Sequence, residues 1–189
     1  FVGHTTGEDH ILIGTKNGYA ARFHENKVTV VGRTARGVRG IDLRKGDEVI
    51  GAVIVDETKQ LLTVTENGFG KRSRFEDFES RNRGIIGVRA HNINEKTGKL
   101  ASILTVSEDD DIMLITNEGT IIRTAVSGIN VYSRTAGGVI LMRLDEGCTI
   151  NNVARLEKNE EIEAETEAVE AGAVAPAAEP VQESAPVEE

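Results

Sequence analysis

The chain has 189 residues, of which 39% are hydrophobic and 28% charged, with a formal net charge of −9 and a single cysteine. One cysteine excludes an internal disulfide framework and is typical of a reducing cytoplasm. No apolar run approaches the ~20 residues that span a bilayer, and no signal peptide is visible, so we expect no membrane partner.

The negative charge is concentrated at one end of the sequence. Residues 157–189 contain 11 glutamates, a single lysine and all three prolines, which gives this segment a net charge of −10 and leaves +1 for residues 1–156. Such a segment buries too little apolar surface to offset the loss of chain entropy on folding, so we predict a disordered acidic tail. The sequence opens on Phe1-Val2 without an initiator Met, which indicates a piece of a longer protein.

A hairpin motif recurs about every fifty residues in the remainder of the chain. The segment ILIGTKNGYAAR from Ile11 recurs as LLTVTENGFGKR from Leu61 and as IMLITNEGTIIR from Ile112. In the first two copies Asn-Gly separates two apolar runs, which predicts a β-hairpin because both residues accept the positive φ of a type I′ turn. Glu118-Gly119 takes this place in the third copy and is a weaker turn former. We therefore predict three equivalent hairpins.

A second motif follows each hairpin and begins with an arginine: RTARGVRGIDL from Arg33, RGIIGVRAHNI from Arg83 and RTAGGVILMRL from Arg134. Apolar runs predict two more strands per repeat, over Val38–Leu43 and Val49–Val55, Gly87–Ile93 and Leu100–Val106, and Val139–Leu144 and Thr149–Leu156. About four strands in a unit of this length are typical of a propeller blade. The prediction is an all-β array with the end of a preceding blade at 1–8, blades at 9–56, 57–107 and 108–156, and the disordered acidic tail at 157–189.

Three stretches carry a resemblance to a known family. The absence of tryptophan argues against WD-type blades. The stretches Gly32–Val49, Leu61–Arg72 and Asp111–Arg143 resemble, in this order, the last three blades of the C-terminal domain of the DNA gyrase A subunit. The resemblance covers nearly all of residues 9–156, and the acidic tail sits where such tails sit in many members of the family.

The resemblance implies a β-pinwheel, a closed ring of blades that exchange a strand with their neighbours, with double-stranded DNA wrapped around a basic outer rim. It also implies a bacterial, cytoplasmic and nucleoid-associated enzyme in which this subunit joins the B subunit and a second A subunit to introduce negative supercoils, using ATP and Mg in the holoenzyme. Two alternatives stay open: the related domain of the topoisomerase IV A subunit, and a protein-binding β-propeller whose repeated arginines are structural.

Twelve cations are candidate DNA contacts, in two groups. The first group follows the hairpin turns and consists of Arg22, Arg72 and Arg123 with the neighbouring Lys71 and Arg74. The second group belongs to the second motif and consists of Arg33, Arg36, Arg39, Arg81, Arg83, Arg89 and Arg134. Equivalent cations on successive blades can follow a phosphate backbone and release its counterions. The alternative is an ion pair within the blade for the first group and a solvated basic loop for the second.

The sequence predicts no catalytic residue, metal site or cofactor site in this chain. No phosphate-binding loop of the G-x-x-x-x-G-K-[ST] type occurs. Asp109, Asp110 and Asp111 are interpreted as a solvated turn, and His4, His10, His24 and His91 lack partners at the spacing of metal ligands. Tyr19 and Tyr132 are interpreted as rim or core residues rather than as a DNA-cleaving tyrosine.

Overall fold

The computed structural model describes residues 1–156 and shows an all-β structure, as predicted. The predicted acidic tail, 157–189, lies outside the described residues. The strands are, in chain order, β1 (His10–Thr15), β2 (Tyr19–His24), β3 (Val49–Ile54), β4 (Gln60–Thr65), β5 (Phe69–Arg74), β6 (Ser80–Arg81), β7 (Val88–Arg89), β8 (Leu100–Val106), β9 (Asp111–Thr116), β10 (Ile121–Ala125), β11 (Val139–Ile140) and β12 (Ile150–Leu156). One-turn 3-10 helices follow β2, β5 and β10, at Glu25–Lys27, Phe75–Asp77 and Val126–Gly128. Within 1–156 no helix has the length and apolar character needed to cross a membrane.

Each repeat begins with an antiparallel hairpin, β1–β2, β4–β5 and β9–β10, which confirms the predicted hairpins. The predicted type I′ turns were wrong, because φ is positive only at the glycine of each turn. Gly18 N donates to Thr15 O at 3.0 Å, so the loop is a type I turn followed by a left-handed glycine. The threonine hydroxyl selects this wider loop, since Thr15 Oγ1 accepts a hydrogen bond from Tyr19 N at 3.2 Å. Thr65 and Thr116 do the same in the other two turns.

The sheets do not follow the repeat boundaries, because the outermost strands of a sheet come from the next repeat. The first sheet has the order β3-β1-β2-β6, and β7 also pairs with β2. The second sheet has the order β11-β5-β4-β8. Strands β6 and β7 belong to the second repeat and β11 belongs to the third, so each of these repeats completes the sheet before it. This exchange of strands is the β-pinwheel that the family resemblance implied.

The hydrophobic cores lie between successive sheets. Leu61 and Leu62 are adjacent in β4, and their side chains point to opposite faces of the sheet, as the period of a strand requires. Leu61 packs with Leu12 of the first sheet, and Leu62 packs with Leu114 of the third. Strand β8 lies beside β3 on one side and β12 on the other, so these three strands form the inner edge of the array. The opposite side, where β6, β7 and β11 lie, is called the outer edge below.

The third sheet has the order β10-β9-β12 in the part of the chain that the structure describes. The described residues provide no outer strand for β10, which leaves Ile121 56% and Ile122 38% exposed. In contrast, the four central residues of β2 and of β5 are all buried, because the next repeat covers those strands. The second sheet has the predicted four strands, whereas the first has five and the third has three within residues 1–156.

The third predicted strand of each repeat is much shorter than expected. Two of these strands have only two residues each, Val88–Arg89 and Val139–Ile140. The segment Val38–Leu43 forms only an isolated bridge, from Ile41 to Ile85. The two short strands pair with the sheet before them, β7 with β2 and β11 with β5, instead of pairing with their own repeat. The bridge of Ile41 is to the following repeat. A left-handed glycine directly precedes each of the two short strands, Gly87 with φ of 82° and Gly138 with φ of 71°.

Candidate nucleic-acid interface

The second motif of the sequence lies on the outer edge of the sheets. Arg81 is in β6 and Arg89 is in β7, and both strands pair with β2 of the preceding repeat. Arg83 lies between these strands, and Arg134 lies between the bridge at Val131 and β11. The exchange of strands thus places the arginines of each later repeat beside those of the repeat before it.

Two pairs of arginines form at equivalent places on this edge. Arg83 Nη1 donates to Arg39 O at 3.1 Å, and Arg134 Nη1 donates to Arg89 O at 3.1 Å. Arg83 and Arg134 are equivalent in the repeat, and so are Arg39 and Arg89. We call these two pairs the outer-edge arginine pairs. The recurrence places Arg83 and Arg134 at equivalent positions on successive sheets.

Two arginines of the outer edge form ion pairs that are exposed to solvent, so their positive charge stays accessible to a phosphate. Arg39 is 70% exposed and pairs with Asp42 at 3.0 Å, and Arg81 is 55% exposed and pairs with Glu79 at 2.6 Å. Ion pairs this exposed contribute little to stability, so a phosphate can replace the carboxylate at small cost. Arg33, Arg36, Arg74 and Arg89 are also exposed.

Arg22 and Arg72 are buried where one repeat packs against the next, and not exposed on the outer edge. Their exposed fractions are only 9% and 5%. Arg22 Nη1 donates to Phe75 O at 2.9 Å and its guanidinium pairs with Glu57. Arg72 Nε donates to Ile129 O at 2.5 Å, and its Nη2 lies 3.6 Å from Glu108. Both side chains bind the main chain at the 3-10 turn of the next repeat and so hold that turn against their own strand. Because the two arginines are buried, they are not part of the proposed interface.

The third equivalent, Arg123, lies on the uncovered strand β10 and its side chain is 60% exposed. Its Nε donates to Asp111 at 2.6 Å. The adjacent Asp110 accepts a hydrogen bond from Ser107 N at 2.7 Å and lies 3.8 Å from Arg155. The interpretation of this acidic run as a solvated turn was therefore wrong for Asp110 and Asp111, which are 7% and 9% exposed.

Lys71 is fully buried, although the sequence suggested a surface cation. Its ammonium donates to Ser133 O at 2.7 Å and to Ser73 Oγ at 3.1 Å. Burial lowers the pKa of Lys71 to about 8, because desolvation disfavours the charged form. Burial also lowers the pKa of the neighbouring His91 to about 4, with the positive charge of Lys71 as the second cause. Lys71 therefore has no access to a DNA phosphate.

A basic groove beside Arg89 was missed in the sequence. Arg44 lies with its guanidinium carbon 4.1 Å from the centre of the Tyr19 ring, and with Lys45 and Arg89 it lines a groove of about 370 Å³. The turn LRKGD, which carries both new cations, was the available signal. This signal is weak because the charge does not recur: the corresponding turn in the third repeat, LDEGC, is acidic.

The strand-exchanged sheets define the chain as a β-propeller of the pinwheel type. A family model described as DNA gyrase C-terminal domain, beta-propeller, matches residues 9–56, 59–107 and 110–163. The chain belongs to this family.

Gyrase A subunits of several bacteria are similar to the chain in sequence. It is 49% identical over 146 residues to the DNA gyrase A subunit of Aminobacterium colombiense, and 41% identical over 165 residues to that of Staphylococcus aureus strain MRSA252. These alignments cover 77% and 86% of the chain but only 18% and 19% of the relatives, so the chain spans less than a fifth of their length.

Two solved structures have a similar fold. A DNA gyrase A C-terminal domain superposes with a TM-score of 0.75 at 27% identity, over 81% of this chain and 52% of that one. The C-terminal domain of a DNA topoisomerase IV superposes with a TM-score of 0.77 at 26% identity, over 86% of this chain and 52% of that one. The fold is common to both, while the sequence identity of 41–49% to gyrase subunits favours gyrase.

Proposed function

We propose that the outer edge binds the phosphate backbone of double-stranded DNA without sequence preference. The observation that carries this proposal is the recurrence of the outer-edge arginine pairs, Arg39 with Arg83 and Arg89 with Arg134, on successive sheets. Arginine forks bind phosphate oxygens through two parallel hydrogen bonds, and phosphate contacts set position without reading bases. Arg81, in β6, adds to the same edge, and Arg33 and Arg36 are exposed in the segment that precedes Arg39.

We further propose that the chain is the DNA-wrapping part of a gyrase A subunit in the bacterial cytoplasm. In this proposal it acts within a type II topoisomerase that also contains the B subunit and a second A subunit. Among the described residues, no group of three or more His, Cys, Asp or Glu could hold a metal ion. Such an enzyme would use ATP and Mg²⁺. Both would bind elsewhere in the holoenzyme, and this chain would provide the surface around which the DNA wraps.

The test is a titration of a linear duplex with the full chain at several salt concentrations. The variant carries Arg39→Gln, Arg81→Gln and Arg89→Gln, three exposed changes on the outer edge. We expect weaker binding to every duplex sequence and a salt slope smaller by about 0.9 for each phosphate that is no longer neutralised. The control is Lys99→Gln, an exposed cation next to β8 on the inner edge, and it should bind like the unchanged chain. An unchanged affinity and slope in the triple variant would refute the proposal.

A further inference from the structure

A cluster of buried polar side chains lies where the second repeat meets the third. It consists of Thr63 in β4, Lys71 and Ser73 in β5, and His91 just after β7, and all four have no exposed surface. We call it the junction cluster. Buried polar groups are costly unless each one finds a partner, so their hydrogen bonds show what the cluster holds.

The lysine and the serine bind the main chain of the third repeat. Lys71 Nζ donates to Ser73 Oγ at 3.1 Å and to Ser133 O at 2.7 Å. Ser73 Oγ donates in turn to Tyr132 O at 2.9 Å. Two consecutive carbonyls directly before Arg134 are therefore fixed by side chains of β5.

The histidine binds the same loop on the other side of Arg134. His91 Nε2 lies 3.1 Å from Gly137 O, and a carbonyl can only accept, so this nitrogen carries the hydrogen. His91 Nδ1 then accepts from Thr63 Oγ1 at 3.0 Å. The ring is neutral in this arrangement, in agreement with its lowered pKa. The cluster thus forms hydrogen bonds to the carbonyls of residues 132, 133 and 137, and Arg134 lies between these bonded residues.

The other repeats fill these four positions differently. The equivalent residues of the first repeat are all apolar: Ile13, Ala21, Phe23 and Ile41. In the third repeat they are Leu114, Ile122, Thr124 and Met142. The fold is thus formed without the polar set, and apolar residues at such sites are often equally or more stabilising. Stability alone does not explain a buried lysine at this junction.

We propose that the four residues of the junction cluster are positioning residues, which fix the loop Ser133–Gly138 so that Arg134 is held beside Arg89 and faces the DNA backbone. This inference rests on the proposed function. At the first junction the equivalent Arg83 has a second carbonyl partner, Lys27 O at 2.7 Å, which holds that arginine directly. Within residues 1–156, Arg134 donates to one carbonyl only, that of Arg89. The junction cluster beneath its loop takes the place of the second carbonyl partner that holds Arg83.

The experiment is a double-mutant cycle on DNA binding by the full chain, with a linear duplex as the probe. Lys71→Met and Arg134→Met are measured singly and together, below the unfolding transition of each variant. We expect each single change to weaken binding roughly three- to tenfold, the range for one net hydrogen bond. Because Lys71 acts through Arg134, the double variant should bind no more weakly than Arg134→Met alone. Lys99→Met, the same change on an exposed lysine of the inner edge, is the control and should leave affinity unchanged.

Several results would overturn the inference. If Lys71→Met lowers the melting temperature but binds DNA like the unchanged chain, while Arg134→Met binds more weakly, the cluster is only structural. If the losses of the two single variants multiply in the double variant, Lys71 does not act through Arg134. If Arg134→Met itself binds normally, the DNA contact at this arginine fails and the inference fails with it. Should Lys71→Met not fold, Ser73→Ala, which removes the bond to Tyr132 O, takes its place in the cycle with the same expected outcome.

Discussion

A guanidinium that donates to main-chain carbonyls of a neighbouring repeat holds that repeat in place. Arg72 does so through Ile129 O and also donates to Gln60 Oε1 at 2.9 Å. The equivalent Arg123 pairs only with Asp111 of its own hairpin, as far as residues 1–156 show. The same residue at the same place in the repeat therefore has a different energetic role, set by whether a following repeat covers its strand.

We predict that Arg72→Met lowers the free energy of unfolding by about 2–3 kcal/mol, because it leaves a buried carbonyl without its charged donor. Arg123→Met should cost less than about 1 kcal/mol, since an exposed ion pair contributes little. Urea denaturation of both variants measures the difference, with an unchanged m-value as the check on two-state unfolding. Equal losses in the two variants would contradict the assignment of Arg72 as a lock between repeats.

A second prediction concerns pH. Burial holds the pKa of His91 at about 4 in the folded chain, against 6.5 as the ordinary value. Above pH 6.5 the ring is neutral in both the folded and the unfolded state and has no effect. Between pH 6.5 and 4 the unfolded chain binds a proton that the folded chain does not, so stability falls as the pH falls, by up to about 1.4 kcal/mol per pH unit.

The variant His91→Gln isolates this contribution, because all other titrating groups stay in place. The difference in unfolding free energy between the unchanged chain and the variant should be constant above pH 6.5 and should shift in favour of the variant as the pH falls to 4. A difference that does not vary with pH would show that His91 is protonated equally in both states.

At the level of elements, local signals were sufficient for the hairpins. Asn-Gly or Glu-Gly between apolar runs correctly predicted β1–β2, β4–β5 and β9–β10, since a hairpin depends on residues close in sequence. The threonine before each turn decided the loop type, and its role became visible only in the bond that its hydroxyl accepts from the residue after the glycine. The all-β class followed from the same local patterns.

The third strands were less predictable because their partners are distant in sequence. An apolar run such as Val139–Leu144 has the composition of a strand, but only its first two residues pair, and they pair with β5 of the preceding repeat. The site shows the same limit. Lys71 was predicted to be a DNA contact because it adds positive charge next to Arg72, whereas its equivalents Ala21 and Ile122 marked the position as one that accepts apolar side chains.

The exchange of strands leads to a prediction about two equivalent glycines. A Cβ on Gly87, where φ is 82°, would lie 2.2 Å from Ala20 O of the preceding sheet. Gly37 has a similar φ of 76° with no atom within 4 Å of the added Cβ. We expect Gly87→Ala to cost roughly 3 kcal/mol, from left-handed strain and a backbone clash together, and Gly37→Ala to cost only the strain, about 1–2 kcal/mol.

Thermal or urea unfolding of the two alanine variants compares these costs directly. Gly37→Ala is the matched control, because it changes the same repeat position with open space around it. Similar losses at both positions would mean that the close approach of Gly87 to β2 is not required for the exchange.

At the scale of the whole molecule, charge is divided between the two ends of the sequence. Residues 1–156 have a net charge of +1 and residues 157–189 have a net charge of −10. Exposed arginines of the former, among them Arg39, Arg81 and Arg89, lie on the outer edge with the outer-edge arginine pairs. A segment of opposite charge on the same chain competes with DNA at a high effective concentration.

We therefore predict that removing residues 157–189 increases the affinity for double-stranded DNA, most strongly at low salt, where charges are screened least. A mobility-shift titration of residues 1–156 against the full chain at two salt concentrations measures the effect. A full-length variant with the 11 glutamates of this segment changed to glutamine is the control, because it keeps the length and removes the charge. It should bind like the shortened chain, since charge rather than bulk causes the competition. Identical binding of all three proteins at low salt would leave the acidic segment no part in DNA binding, and its charge would then serve solubility alone.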